Sequence, residues 1–158
     1  MDNMEKIILD RLSRKILREL QRDSRQTVQE LASKVGLSGS PCWRRVRELE
    51  ALGVVRRYTA LVEREKVGLA ACVLAQVTLQ RQTENVAMLF EQAMQACPDV
   101  IECYSLTGDA DYLIKVVVPD VKAYDAFLQR VMFKVKGLGN IRSMVVLREV
   151  KYETALPV

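Results

Sequence analysis

The sequence predicts an α+β protein in which a small helical domain precedes a sheet of four strands covered by two helices. Apolar residues recur at helical spacing up to about residue 52, and alternating apolar segments typical of strands begin at about residue 72. The charges divide in the same way. Residues 1–66 contain 15 Lys and Arg against 10 Asp and Glu, a net charge of +5, whereas residues 67–158 contain 9 against 10. The first domain is therefore the part expected to meet a polyanion.

The first domain is predicted to contain three short helices, the first within residues 8–21 and the second after residues 27–30. Residues 27–30, TVQE, form a capping-box pattern in which Thr27 and Glu30 each bond the other's backbone N–H. The second helix should end at Gly36, because glycine tolerates the left-handed backbone common after helices. The residues expected to face inward are Leu9, Leu12, Ile16 and Leu20 in the first helix and Leu31 and Val35 in the second.

The third helix should begin at a cap on Ser38 or Ser40 and stop at Gly53, with Pro41 in its first turn. Successive residues turn by about 100° around a helix, which separates an apolar side from a basic one. The apolar side consists of Cys42, Val46 and Leu49, and the basic side of Ser40, Arg44 and Arg47, flanked by Trp43 and Glu48. Arg45 lies closer to the border of the apolar side.

Residues 54–62, VVRRYTALV, are predicted to form a short strand with Arg56 and Arg57 at its rim. Three short helices with a tight glycine turn before the last, followed by a basic strand, predict a winged helix-turn-helix. Such a helix is also common as a solvated face, but the basic excess of the domain favours double-stranded DNA as its partner. The residues expected to contact DNA are Ser38, Ser40, Trp43, Arg44, Arg45, Arg47, Arg56 and Arg57. Of these, Arg45, Arg56 and Arg57 are expected to meet mainly phosphates, and Ser40, Trp43, Arg44 and Arg47 to face the major groove.

The second domain is predicted to follow the order β-α-β-β-α-β, the ferredoxin-like arrangement. The predicted strands are residues 72–80, 100–107, 112–118 and 141–150, and the predicted helices are residues 84–96 and 120–132. The inward side chains should be Val86, Leu89, Phe90 and Ala93 in one helix and Val121, Tyr124, Leu128 and Val131 in the other.

Both faces of the first strand of this sheet are apolar. Val73, Ala75, Val77 and Leu79 share one face, and Cys72 and Leu74 lie on the other. Two helices cover only one face of an antiparallel sheet, and a large exposed apolar patch is rare on a monomer. We therefore expect a homodimer formed through the second domain. The alternative is that the first domain folds back over the open face.

The residue types present argue against catalysis and metal binding. Histidine, the commonest general base and metal ligand, is absent. The four cysteines, Cys42, Cys72, Cys97 and Cys103, match no zinc spacing and are predicted to be buried. We expect no catalytic residue, no metal and no cofactor. An enzyme using the ferredoxin-like domain stays an alternative, as does an assembly module whose basic helix binds an acidic protein.

The hydropathy of the chain predicts a cytoplasmic protein with no membrane partner. No apolar run approaches the roughly 18 residues that a membrane span requires. The first residues alternate charged and apolar side chains, unlike a secretory signal.

Residues 106–112, LTGDADY, place two carboxylates and a glycine in one tight turn between predicted strands. Gly and Asp are ordinary in hairpin turns, because they tolerate positive φ and bond locally. The same groups are also compatible with a bound ligand. At this point both interpretations stay open.

The chain resembles the leucine-responsive/asparagine-regulator (Lrp/AsnC, or feast/famine) family of prokaryotic transcription factors over nearly its whole length. In the first domain the resemblance rests on LSRKILRELQRDSR, ELASKVGLSGSPCWRRVRELEALGVV and RRYTALVEREKVGL. In the second it rests on SLTGDADYLIKV and LREVKYETALPV. The family commonly has Asp at the position of Ser13, where serine can still bond locally.

The resemblance implies a nucleoid-associated regulator of amino-acid metabolism genes, with a DNA-binding domain in residues 1–58, a linker in residues 59–70, and an effector-binding and oligomerisation domain in residues 71–158. It implies a homodimer that assembles further, often into octamers. It also implies an amino-acid effector bound around the Gly-Asp-x-Asp segment at the contact between dimers. In such a site Asp109 or Asp111 would accept a hydrogen bond from the effector's ammonium, and the backbone at Gly108 would donate to its carboxylate. The effector residues expected on this basis are Tyr104, Leu106, Thr107, Gly108, Asp109, Asp111 and Val121, with Asp111 nearest the effector.

Overall fold

A computed structural model describes residues 7–80 and 85–158, and the chain divides into two compact units. The first unit comprises the described residues up to Ala60 together with Lys151–Val158, and the second comprises Leu61–Val150. Residues 151–158, which the sequence analysis places in the second domain, therefore pack in the first unit. In the described ranges, no helix is long and apolar enough to cross a membrane.

Three helices form the first unit: α1 (Arg11–Arg22), α2 (Val28–Val35) and α3 (Gly39–Ala51). Asp10 caps α1, because its carboxylate accepts a hydrogen bond from the backbone N–H of Ser13 at 2.7 Å. The predicted capping box of Thr27 and Glu30 is confirmed. Gly36 ends α2 with φ 79°, the left-handed backbone predicted for it.

The core of the first unit contains most of the predicted inward residues. Its buried members are Ile16, Leu17, Leu31, Ala32, Val35, Cys42 and Leu49. Leu9, Leu20 and Val46 are only partly buried and pack at the edge of this core. Leu17 lies beside the predicted stripe of α1 and is buried all the same, since a helix packed against two neighbours buries a face wider than one stripe.

Residues 151–158 complete this unit by packing along α1. Gln21 Nε2 donates to the carbonyl oxygen of Leu156 at 3.1 Å, and the Leu156 N–H donates back to Gln21 Oε1 at 2.6 Å. Arg18 Nε donates to the carbonyl oxygen of Val158 at 2.6 Å. The Val158 side chain also packs against the apolar core of the unit.

The strand predicted at residues 54–62 is not formed, and this prediction is wrong. A strand exists only where a second strand pairs with it, and the described part of the chain supplies no partner for this segment. Arg56 and Arg57 therefore lie in an unpaired segment after α3 rather than on a wing strand.

The second unit contains a four-stranded antiparallel sheet in the order β2-β3-β1-β4. Its strands are β1 (Ala71–Leu79), β2 (Val100–Ser105), β3 (Tyr112–Val118) and β4 (Leu138–Val145), and its helices are α4 (Val86–Ala96) and α5 (Val121–Arg130). Short 3-10 helices occupy Glu65–Val67 in the predicted linker and Met132–Lys134 after α5. The predicted β-α-β-β-α-β order is confirmed. Residue 84, where the first helix of this domain was predicted to begin, lies outside the described residues.

Both helices pack on one face of the sheet, but two predicted inward residues are exposed. The helix α4 buries Val86, Phe90 and Met94, which leaves Leu89 at the edge of the contact with 43% of its surface exposed. Val121 occupies the first position of α5 and is 59% exposed, whereas Phe127, which was not predicted, is completely buried. The buried side chains differ from the predicted ones because only a narrow stripe of each helix contacts the sheet.

β4 begins three residues earlier and ends five residues earlier than predicted. Its register with β1 explains the end of the strand. Val145 pairs with Val73, and the N–H of Val146 makes one further bond to the Cys72 carbonyl oxygen at 2.9 Å. In this register Leu147 would lie opposite Ala71, the first residue of β1, so residues 148–150 have no strand residue to pair with in the described part of the chain.

The sheet face opposite α4 and α5, called here the open face, is only partly apolar. Leu74 pairs with Met144 on one side and with Lys115 on the other, and paired residues share a face. Leu74 is half-buried and Met144 is 38% exposed. Lys115 Nζ forms an ion pair with Glu102 Oε1 at 3.3 Å, so a charged pair interrupts the apolar surface.

Candidate DNA-binding surface and effector hairpin

The helix α3 presents a basic face because its other face is fixed in the core. Cys42 is completely buried and Leu49 is 3% exposed. Helical geometry then directs the opposite side chains away from the core. Those side chains, all exposed, are Ser40, Trp43, Arg44 and Arg47. Ser38 occupies the N-cap position of α3, but its side chain makes no capping hydrogen bond.

The arginines of this region fall into two groups. Arg44, Arg56 and Arg57 are exposed, and within the described residues none of their side chains takes part in a hydrogen bond or ion pair. Arg45 and Arg47 have internal partners. The first group is free to bind phosphates or bases, whereas the second must hold or exchange its existing partners.

Arg45 joins α3 to the start of α1. Its Nη1 donates to Asp10 Oδ2 at 2.7 Å and to Ser13 Oγ at 3.3 Å, and its side chain is 28% exposed. The pKa of Asp10 is lowered, first by the Ser13 backbone N–H, then by the Ser13 hydroxyl and by Arg45. Ser13, where the family commonly has Asp, thus bonds both Asp10 and Arg45. The predicted phosphate contact of Arg45 competes with this internal arrangement.

Arg47 lies in a network of four side chains, called here the Glu50 network: Trp43, Arg47, Glu50 and Tyr58. Arg47 Nη1 donates to Glu50 Oε2 at 2.8 Å, and its guanidinium carbon is 5.9 Å from the centroid of the Trp43 ring. The Tyr58 hydroxyl donates to Glu50 Oε1 at 2.8 Å. Burial, followed by this bond to Glu50, raises the pKa of Tyr58 to about 12. No role was predicted for Glu50 or Tyr58, because no local sequence pattern relates residues eight positions apart across a turn.

A cleft of about 760 Å³ opens between the first turns of α2 and α3. It is lined by Val28, Gln29, Ser38, Gly39, Ser40, Trp43 and Arg44. Gln29 is exposed and was missed by the sequence analysis. The signal that could have found it is the capping box, which fixes residues 28 and 29 in the first turn of α2. The cleft therefore combines predicted DNA-contacting residues with an exposed amide.

The hairpin between β2 and β3 brings together most of the predicted effector residues. The Leu106 N–H donates to the Asp111 carbonyl oxygen at 2.8 Å, and Gly108 has φ 116°, which favours glycine. Asp111 is half-buried, and its Oδ2 accepts a hydrogen bond from the Leu79 N–H of β1 at 2.7 Å. Asp109 is exposed, and among the described residues its carboxylate has no hydrogen-bond partner. Asp111 thus fixes the hairpin to β1, while Asp109 projects into solvent.

Three other predicted effector residues differ in position. Thr107 lies in the turn itself and is exposed. Tyr104, on β2, is 51% exposed, and its hydroxyl donates to Glu102 Oε2 at 3.1 Å, which raises its pKa. Val121 follows the far end of β3, whose length at about 3.4 Å per residue separates it from the hairpin by roughly 20 Å. Within one chain, Val121 and the hairpin do not form one site.

The start of β4 lies at the same end of the sheet as the hairpin. Leu138 pairs with Leu79, and the Gln80 N–H donates to the Gly137 carbonyl oxygen at 2.8 Å. A side chain at Gly139 would lie 2.8 Å from the Thr78 carbonyl oxygen, so the close approach requires glycine. A cavity of about 440 Å³ beside this segment is lined by Leu128, Phe133, Val135, Gly137, Leu138, Gly139, Asn140, Ile141 and Ser143. The two glycines at positions 137 and 139 were a signal that the sequence analysis did not use.

The cysteines are mostly buried, as predicted. Cys42, Cys72 and Cys97 are buried, but Cys103 is exposed on β2, the edge strand of the sheet, so its predicted burial is wrong. In the part of the chain that the structure describes, no group of three or more His, Cys, Asp or Glu side chains is placed to hold a metal ion.

Comparisons with known proteins agree with both units. The family model of the winged helix-turn-helix DNA-binding domain matches residues 9–56, and that of the Lrp/AsnC ligand binding domain matches residues 72–156. The chain belongs to the Lrp/AsnC family. The leucine-responsive regulatory proteins of Klebsiella pneumoniae and Escherichia coli are each 40% identical to it over 148 residues, which are 94% of this chain and 90% of theirs.

Solved structures of other Lrp/AsnC proteins share the fold over nearly the whole chain. An AsnC family transcriptional regulator from Agrobacterium tumefaciens is 42% identical with a TM-score of 0.89, over 94% of this chain and 97% of that one. A transcriptional regulator from Neisseria meningitidis in complex with L-Met is 36% identical with a TM-score of 0.90, over 95% and 97%. The protein is therefore an Lrp/AsnC-type DNA-binding transcriptional regulator, as its curated relatives are, and not an enzyme.

Proposed function

We propose that this regulator recognises the bases of duplex DNA with α3 and binds the DNA phosphates with the segment that follows α3. Ser38 and Ser40 lie at the start of α3, and Trp43, Arg44 and Arg47 lie on its outward face. Arg56 and Arg57 are the phosphate-binding residues. The observation that carries the proposal is Arg44, whose exposed guanidinium has no internal partner among the described residues and lies opposite the buried Cys42 and Leu49. A free guanidinium can make the bidentate contact to guanine that specific readout uses.

Salt dependence tests this proposal against binding to an acidic protein or a small substrate. Contacts with DNA phosphates release counterions, so the logarithm of the association constant falls linearly with the logarithm of salt, by about 0.9 for each phosphate neutralised. We expect a steep decline for an unrelated duplex, measured by filter binding between low and physiological salt. Binding to duplex DNA that changes little with salt would contradict the proposed surface.

We propose further that the second unit binds an amino acid at the hairpin end of its sheet. Through this ligand the protein controls amino-acid metabolism genes. It acts on the nucleoid in the cytoplasm. Relatives in solved structures bind L-Met: the Neisseria meningitidis regulator, and a feast or famine regulatory protein from Mycobacterium tuberculosis that is 32% identical with a TM-score of 0.81, over 93% of this chain and 97% of that one. The hairpin supports such a site in this chain, since Asp111 Oδ2 accepts a hydrogen bond from the Leu79 N–H and its other carboxylate oxygen has no hydrogen-bond partner among the described residues. The turn at Gly108 exposes backbone groups for the ligand carboxylate.

Calorimetry against the twenty amino acids, beginning with L-Met, tests this site. Asp111→Asn keeps an oxygen that can accept from the Leu79 N–H but removes the negative charge that an ammonium group requires. We expect Asp111→Asn to lose ligand binding while its thermal midpoint stays near that of the wild type. Asp109→Ala tests the alternative carboxylate, and we expect it to keep binding, which would assign the ammonium contact to Asp111. Equal affinity of the wild type and Asp111→Asn would exclude this role for Asp111, and no heat from any amino acid with the wild type would leave the hairpin an ordinary turn.

We propose that the protein is a homodimer that assembles into higher oligomers such as octamers, with the open face of the sheet as a contact surface. Leu74 and Met144 lie side by side on this face, and Leu113 shares it through its pairing with Gln76. An antiparallel sheet covered by helices on one side commonly buries its other side against a partner. Two copies of the same face, related by a two-fold axis, satisfy this requirement.

A further inference from the structure

Glu50 is a carboxylate placed among the arginines of α3 and of the segment that follows it. A negative charge in this position weakens the attraction to a polyanion. Its side chain is only 25% exposed, and both of its oxygens accept hydrogen bonds, Oε2 from Arg47 and Oε1 from the Tyr58 hydroxyl, each at 2.8 Å. The charge of Glu50 opposes DNA binding, yet its carboxylate makes two hydrogen bonds. We therefore expect Glu50 to act through the two side chains that it bonds, Arg47 and Tyr58.

The bond to Arg47 restricts a side chain on the outward face of α3. The guanidinium lies between the Glu50 carboxylate and the Trp43 ring, whose centroid is 5.9 Å away. Arginine has a long flexible side chain, and fixing it before binding removes part of the entropy that ordering it on DNA costs. Arg47 is still 64% exposed, so it stays accessible to a base or phosphate.

The bond to Tyr58 fixes the segment that carries Arg56 and Arg57. The N–H of Val55 donates to the Leu49 carbonyl oxygen at 3.1 Å, which ties the chain to α3 up to that residue. Beyond it, no strand pairing holds the segment among the described residues. The Tyr58 hydroxyl then returns the chain to α3, next to the two arginines. A tyrosine hydroxyl is protonated at physiological pH even at its ordinary pKa of about 10, so it can donate this bond; burial and the bond itself raise the pKa of Tyr58 further, to about 12.

We propose that Glu50 is a positioning residue for sequence-specific DNA binding, which holds Arg47 on α3 and the Arg56–Arg57 segment in one fixed arrangement. This inference rests on the proposed DNA-binding surface. Specificity depends on cations that reach base edges and phosphates at the same time. Without the Glu50 carboxylate, Arg47, Arg56 and Arg57 keep their charges but are no longer held in one arrangement, and they can bind the phosphates of DNA of any sequence.

The test compares two duplexes, one selected by the wild type from a randomised pool and one unrelated. Glu50→Gln removes the charge that holds Arg47. We expect the affinity for the unrelated duplex to rise or stay constant, and the ratio of selected to unrelated affinity to fall about tenfold, the lower range of one bidentate base contact. Glu48→Gln is the matched control. It removes the same charge from an exposed carboxylate of α3 that has no hydrogen bond or ion pair among the described residues, and it should leave the ratio unchanged.

Tyr58→Phe separates positioning from charge, because it removes only the hydroxyl. We expect it to lower the ratio several-fold with the net charge unchanged, and the thermal midpoints of all variants identify any that fail to fold. A Glu50→Gln protein whose ratio equals that of Glu48→Gln, or a folded Tyr58→Phe protein with the wild-type ratio, would overturn the inference. If the wild type itself selects no duplex and shows no salt-dependent binding, the proposed DNA-binding surface is wrong, and not only the role of Glu50. The wild-type result therefore distinguishes a failure of the surface from a failure of this inference.

Discussion

We expect Arg44→Ala to weaken binding to the selected duplex by roughly 1–3 kcal/mol and to relax the base preference at one position of the site. Arg44 is exposed on the outward face of α3 and has no internal partner among the described residues, so its removal takes away contacts to DNA and none within the protein. A competition assay with single-base variants of the duplex measures both effects. An unchanged affinity in a folded Arg44→Ala protein would show that another residue of α3 reads the bases.

Two neighbouring arginines serve as controls for Arg44. Arg57→Ala should weaken binding to selected and unrelated duplexes alike and reduce the salt dependence, because a phosphate contact carries no sequence information. Arg45→Ala should lower the free energy of unfolding only slightly, since it removes a partly exposed ion pair. That ion pair joins α3 to Asp10 at the start of α1. The three variants thus separate base recognition by Arg44, phosphate binding by Arg57 and stabilisation of the fold by Arg45.

The second large effect is expected when the DNA-binding unit is separated from the sheet. A dimer places two α3 helices on one duplex, and the second contact then benefits from a high effective concentration. We expect a monomeric first unit to bind the selected duplex about 10²–10⁴-fold more weakly than the full chain. Fluorescence anisotropy at fixed salt gives both affinities, and light scattering gives both oligomeric states.

The fragment must keep the residues that complete its core. Residues 1–60 alone would lack residues 151–158, which bond Arg18 and Gln21 of α1. The suitable protein therefore joins residues 1–60 to residues 151–158 through a flexible Gly/Ser linker, and residues 61–150 form the complementary fragment. The second fragment should be dimeric or larger at micromolar concentration. A monomeric second fragment, or a first unit that binds within tenfold of the full chain, would contradict a dimer built on the open face.

Features set by neighbouring residues were predictable from the sequence. The capping box of Thr27 and Glu30, the left-handed Gly36 and the bounds of β3 all depend on side chains a few positions apart. The strand order also followed, because the β-α-β-β-α-β pattern leaves few topologies open. For the same reason the outward face of α3, with Trp43 and Arg44, was visible in the helical periodicity alone.

Features set by distant residues were not predictable. The end of β4 depends on where β1 begins, more than 70 residues earlier in the chain. Arg45 stays a predicted phosphate-binding residue, but its ion pair with Asp10, 35 positions away, could not be read from the sequence. The segment at residues 54–62 has the composition of a strand, but the described part of the chain supplies no strand to pair with it. In each case the outcome depends on which distant residues meet in the folded chain, and local propensity does not define this.

The packing of residues 151–158 along α1 also concerns the order in which the protein is made. The three helices emerge from the ribosome before the sheet unit, but Val158, whose side chain packs against their core, is added after the whole sheet unit has been synthesised. At about 5–20 residues per second, synthesis of the chain from the end of α3 to Val158 takes roughly 5–20 s. During this interval the surface of α1 around Arg18 and Gln21 is uncovered on the growing chain. The helical unit therefore begins before the sheet unit and is completed after it, and a chain whose translation stops before residues 151–158 carries an incomplete DNA-binding unit.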